Sequence, residues 1–144
     1  MSVQVVEYDD AWPARFTAEA DQIRAALGSQ LRRVEHVGST SVPGLAAKPI
    51  VDIALSVESL DELGSDALEE LGYRHVGEWR FKKAGFHVYA YEQEDEEFLD
   101  SVRFRDYLRT HDEDRDAYSA LKRTDSQDAK SAFVARLVSM LRRA

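Results

Sequence analysis

The stretch VGSTSVPGLAAKPIVDIALSV, Val37 to Val57, decides how the rest of the chain is read. It opens on a polar turn, Gly38-Ser39-Thr40-Ser41, and breaks at Pro43-Gly44. Lys48-Pro49 then leads into an apolar run that carries one charge, Asp52. Glycine lacks a side chain and accepts unusual torsions, so such a turn suits close approach of backbone to a ligand. A lone carboxylate in a strand pattern is costly to bury without a partner. From Ile50 to Val57 the odd positions Val51, Ile53, Leu55 and Val57 are all apolar, whereas Asp52 shares the even face with Ile50, Ala54 and Ser56. With a side-chain period of two, the apolar face is buried and Asp52 points to the smaller, more polar side. The pattern describes a site built between two strands.

Working outward, Leu31 to Val37 reads as the strand entering the turn, with Val34 and His36 on one side. Before it, Trp12, Phe16, Ala20, Ile23 and Leu27 recur at helical spacing, with Pro13 in the first turn and Gly28 as the stop. Val3 to Val6 is expected as an edge strand. Ser59 and Glu62 predict a capping box opening a helix through Leu60, Leu63, Ala67, Leu68 and Leu71, ended by Gly72. Tyr73 to Phe81 is a strand or a hairpin punctuated by Gly77, and Phe86 to Glu92 is a strand with His87, Tyr89 and Tyr91 on one face. The acidic run Glu92 to Glu97 reads as a solvated loop and helix start, where negative charge suits the helix dipole. Helices follow over about Phe98 to Arg109, Asp112 to Arg123 and Gln127 to Arg142. Mixed strands and helices followed by three helices imply an α+β domain, residues 1–144, with a helical C-terminal layer.

The composition narrows the chemistry. The 144 residues, 44% of them hydrophobic, suit one well-developed core rather than disorder. There is no cysteine, which removes disulfides, thiolate nucleophiles and cysteine-ligated zinc. No apolar run approaches the ~20 residues of a membrane span. The N-terminus lacks the basic start and apolar stretch of a secretory signal, so a cytoplasmic protein is expected. A formal charge of −8 disfavours broad nucleic-acid binding, yet leaves room for a small phosphorylated ligand held by a local cluster of cations.

Two groups of residues are candidates for chemistry. His36 before the turn and His87 on the later strand would both approach Asp52 if their strands are neighbours, whereas His75 and His111 read as structural or surface residues. Lys48, Arg103, Arg105, Lys122 and Lys130 flank the same region, and cations converging with the Gly38 and Ser39 amides make a phosphate site. Arg103 and Arg105 flank Phe104, so only one of them faces a given ligand. The turn lacks the GxxxxGK[ST] pattern of a P-loop, and the chain has neither GxSxG nor HExxH.

The run from His36 to Ile53, HVGSTSVPGLAAKPIVDI, resembles the signature of the GrpB family. Phe86-His87-Val88, Arg103 to His111, Tyr118 to Lys122 and Lys130 to Phe133 extend the resemblance over nearly the whole chain. The family is placed in the nucleotidyltransferase superfamily. The resemblance therefore implies a nucleotidyltransferase-like mixed sheet with flanking helices, in which Gly38, Ser39 and Thr40 lie in the nucleotide-phosphate turn. Asp52 becomes a divalent-metal ligand (Mg or Mn) or an acid/base group. The chain departs from the transferase pattern at Ala54, two residues after Asp52, where a partner carboxylate would stand. A set of Asp52, His36 and His87 would instead favour a transition metal, because imidazole is a poor magnesium ligand. Three readings stay open: a nucleotide-binding protein with possible nucleotidyl transfer, a metal-dependent hydrolase-type enzyme using His36, Asp52 and His87, and a non-catalytic binding or accessory module.

Overall fold

A mixed sheet of five strands, in the order β1-β2-β5-β4-β3, organises the chain. The computed structural model describes residues 4–63 and 65–143. The strands are β1 (Leu31–Val37), β2 (Val51–Val57), β3 (Arg74–Gly77), β4 (Arg80–Lys83) and β5 (Phe86–Glu92). The helices are α1 (Ala11–Leu27), α2 (Leu60–Leu63), α3 (Asp66–Glu70), α4 (Glu96–Thr110), α5 (Asp112–Lys122) and α6 (Gln127–Arg143). β2 lies between β1, antiparallel to it, and β5, parallel to it. A parallel neighbour requires a long crossover, and α2, α3 and the β3–β4 hairpin supply it. Asp52 thus stands on an inner strand with a strand on each side.

Strand alternation sorts the core into two faces. The odd residues of β2, Val51, Ile53, Leu55 and Val57, are fully buried with Trp12, Ile23 and Leu27 of α1, Leu68 of α3, and Phe81 and Val88. On the opposite face Val37 and Ala54 pack against Phe98 of α4. The C-terminal helices form a layer of their own around Leu108, Phe133 and Leu137. Val42 and Leu45, both fully buried, belong to that same cluster. The segment between turn and strand is therefore not a free loop, because its apolar residues are packed into the helical layer. Ala46 N–H also donates to Ser119 Oγ of α5 at 3.1 Å.

Some sequence expectations are revised. Val3 lies outside the described residues, and Val6 forms one isolated antiparallel bridge to Ala47 instead of a sheet edge. The helix expected through Leu71 is two short helices, α2 and α3. Glu92 Oε2 accepts the Leu60 N–H, and Glu62 accepts from Gln30 Nε2, so the reciprocal capping box does not form among the described residues. Tyr73 to Phe81 resolves into β3, a turn with Glu78 at φ 46, and the start of β4. The acidic run behaves as expected: Asp95 precedes α4 and accepts the Glu97 N–H at 2.8 Å.

Candidate functional site

The Gly38 turn and Asp52 are in direct contact. Gly38 has φ 73, a left-handed conformation that glycine adopts freely, and Val37 pairs with Asp52 across β1 and β2. A Cβ placed on Gly38 would lie 2.3 Å from Asp52 Oδ2. The absence of a side chain at this position is what allows the carboxyl to rest against the turn. On the other side β5 sets His87 beside Asp52, with His87 Nδ1 at 3.5 Å from Asp52 Oδ1.

Asp52 and His87 open onto a cleft of about 660 Å³ between the sheet, the 37–50 segment and helices α5 and α6. Ser39, Lys48, Lys122 and Lys130 line it, together with Tyr89, Tyr118 and Gln127. Three of the five lysines of an acidic chain meet here. Among the described residues none of the three has a carboxylate within ion-pair distance, whereas Lys83 holds Glu19 at 2.6 Å. Burial pushes the Lys122 ammonium below its usual range, and the charges of Lys130 and Lys48 push the same way. Burial also raises Asp52 to about 7, with Lys122 opposing the rise. Near neutral pH the Asp52 carboxyl is therefore poised between its two forms, as a proton-handling group requires. Burial, and then the charge of Lys82, hold His87 below the ordinary histidine value, which favours the neutral imidazole.

His36 does not join this group. It pairs with Ile53, one register position from Asp52, so it projects from the α1 face of the sheet. There its ring stacks on Phe16 at 4.9 Å between centroids, 6% exposed. Thr40 Oγ1 donates its single proton to Ile50 O and so accepts from His36 Nε2–H at 2.9 Å. This bond and the deep burial of Thr40 turn both residues into structural ties beneath the signature segment. The three-ligand set of His36, Asp52 and His87 is thus corrected: two of its members share the cleft and the third faces the other way. Among the described residues no group of three or more His, Asp or Glu side chains is placed to hold a metal ion.

The two arginines also lie away from the cleft lining. Arg103 pairs with Glu96 at 3.0 Å and Asp100 at 3.6 Å. Arg105 is buried and donates to Glu35 at 2.7 Å and to His36 O at 3.1 Å, which ties α4 to β1. Sequence reasoning did not single out Tyr89 and Tyr118 for the site. Tyr118 shares a face of α5 with Lys122 by its i,i+4 spacing, and its phenol lies beside Ser39.

Known proteins agree with this architecture. The GrpB protein family model matches residues 2–136. A UPF0157 protein of Halalkalibacterium halodurans is 39% identical, over 92% of this chain and 79% of its own length. The crystal structure of conserved protein GrpB from Enterococcus faecalis matches with a TM-score of 0.86 at 33% identity, covering 96% of both chains. A dephospho-CoA kinase of Mycolicibacterium paratuberculosis is 43% identical over 42% of this chain, a stretch that makes up 16% of that protein. The fold is an α+β mixed sheet with flanking helices. The chain belongs to the GrpB family.

Two predictions follow the geometry. Gly38→Ala should cost about 1–3 kcal/mol in urea unfolding, because it combines backbone strain with displacement of Asp52; an unchanged midpoint would contradict the close contact. His36, lowered to about 4 by burial and by the nearby Arg109 and Arg105 charges, binds no proton in the native state over a range where the unfolded chain does. The stability tied to its neutral form is complete above about pH 6.5 and is lost as pH falls toward 4, a loss of about 2–3 kcal/mol. Urea titrations at both ends of that window should show a shallower acid loss for His36→Gln than for the wild type.

Proposed function

We propose that this GrpB-family chain binds a nucleotide or another phosphorylated small molecule in the cleft above Asp52. The observation that carries the reading is the meeting of Lys48, Lys122 and Lys130 without carboxylate partners among the described residues. Like charges brought together are relieved by an anion, and Ser39 stands in the same cleft to donate a hydrogen bond. The local cluster works against the net charge of the chain, so it selects a small anion that enters the cleft rather than a long polyanion. The similarity of part of the chain to part of a dephospho-CoA kinase, named for a kinase that acts on dephospho-CoA, adds that nucleotide to the ligands worth trying.

Nucleotidyl transfer, and with it placement in the nucleotidyltransferase superfamily, is the second step of the proposal. It is supported by the glycine-serine turn before β2 and by Asp52 on that strand, and opposed by Ala54, which has no oxygen to offer a metal. A transition ion held by three protein ligands finds no matching group of His, Asp or Glu among the described residues. A magnesium or manganese ion brought in on ligand phosphates fits better, because such ions keep several non-protein oxygens and need only one or two carboxylates. Asp52 would hold it. The bound ion would offset phosphate charge, while the lysines orient the anion and the packed 37–50 segment limits water.

Isothermal titration with ATP, GTP, CTP, UTP and dephospho-CoA, with and without Mg²⁺ or Mn²⁺, tests the reading. At least one is expected to bind, with Lys122→Gln or Lys130→Gln weakening it roughly tenfold, as expected for loss of one charged hydrogen bond. No binding to any of them would end the nucleotide reading.

A further inference from the structure

Asp52 and Tyr89 form the common wall of two pockets, and only one of them is basic. Behind it, on the α4 side, lies a separate pocket of about 270 Å³. Gly38, Ala54, Tyr89, Tyr91 and Ser101 complete its lining with Val37. None of these residues is a lysine or arginine, in contrast to the neighbouring cleft. The register explains how it forms. Asp52, Ala54 and Ser56 on β2 stand beside His87, Tyr89 and Tyr91 on β5, so two phenol rings and one carboxyl share the sheet face. The small side chain of Ala54 leaves room between them, and Gly38 presents bare backbone from the turn. The residue that weakens the case for a second metal-binding carboxylate is therefore also the one that opens this space.

Of the polar side chains facing the pocket, Ser101 is engaged, its Oγ donating to Glu97 O at 3.1 Å, while the phenols are not. Among the described residues the Tyr89 and Tyr91 hydroxyls have no hydrogen-bond partner, and Asp52 has only the long approach of His87 at 3.5 Å. Tyrosine rings present flat apolar faces and a hydroxyl that both donates and accepts, and a carboxyl takes hydroxyl protons. We propose that this pocket is a subsite for an uncharged, hydroxyl-bearing molecule of the size of a single sugar ring, one hydroxyl of which reaches Asp52. With no cation in its lining, the pocket gives an anion nothing to pair with. The fully neutral rim of Tyr89, Tyr91, Ala54 and Ser101 gives a cation only the single carboxyl that already faces Lys122. The inference deepens the reading of the basic cleft and rests on it for one point: the two ligands meet at Asp52, an anion on one side and a neutral hydroxyl on the other.

The test uses the full chain and D-glucose as the neutral probe, read by saturation-transfer difference NMR, with acetate and choline as charged probes of small size. Glucose is expected to receive saturation at tens of millimolar, and neither charged probe to displace it. Ser101→Phe fills the pocket without touching the basic cleft and should abolish the glucose signal. Tyr91→Phe removes one hydroxyl, keeps the ring and should weaken glucose severalfold, which covers the case in which the larger substitution fails to fold. No glucose signal, a signal unchanged in both pocket variants, or displacement by choline or acetate would overturn the subsite. If glucose binds as expected and no phosphorylated ligand does, the anion reading of the cleft fails and the neutral subsite stands; glucose and a bound nucleotide excluding each other would overturn the claim of two separate subsites.

Discussion

The site depends on one steric allowance: nothing projects from Gly38 where the Asp52 carboxyl lies. The turn has a left-handed glycine, and any side chain there would fall on the Asp52 carboxyl of the adjacent strand. That contact fixes the height of Asp52 relative to Ser39, and hence the floor of the cleft. Around it the structure is built to keep the turn from moving. Thr40 ties His36 to Ile50, Arg109 donates to Ser41 O at 2.9 Å, and Val42 and Leu45 are locked into the helical layer. A segment that looks like a loop in sequence is held from three directions.

This rigidity bears on electrostatics. Several cations of this acidic chain hold carboxylates: Arg105 takes Glu35, Lys83 takes Glu19, and Arg142 takes Asp100. Among the described residues the lysines of the cleft do not, and their mutual repulsion is held in place by α5, α6 and the segment before β2. Preorganised charge of this kind interacts with a ligand without first being rearranged, which is the condition for strong binding in a partly desolvated site. Asp52 lies under that positive charge yet is pushed toward its neutral form by burial. The two influences oppose each other at one carboxyl.

Much of this was legible in the sequence where the cause is local. The period of β2 placed Asp52 away from the core, the period of β5 grouped His87, Tyr89 and Tyr91, and the helical spacing of Trp12 to Leu27 gave α1. What sequence could not supply was register. Whether His36 or Val37 stands opposite Asp52 is set by pairing between β1 and β2, and a shift of one residue moves a side chain to the other face. The same non-local cause governs Arg105, whose carboxylate partner Glu35 is distant in sequence and close in space. Lys48, Lys122 and Lys130 were among eight residues expected to hold phosphate, but only the packing of α5 and α6 separates them from the paired arginines.

Under the proposed function, Lys48, Lys122 and Lys130 above the Gly38–Asp52 contact hold an oxyanion. Crystals of the chain soaked in tungstate, a tetrahedral oxyanion with a strong anomalous signal, address it directly. An anomalous peak is expected in the cleft within hydrogen-bond reach of Lys122, Lys130 and Ser39. A peak on the arginines of α4 with the cleft left empty would contradict it.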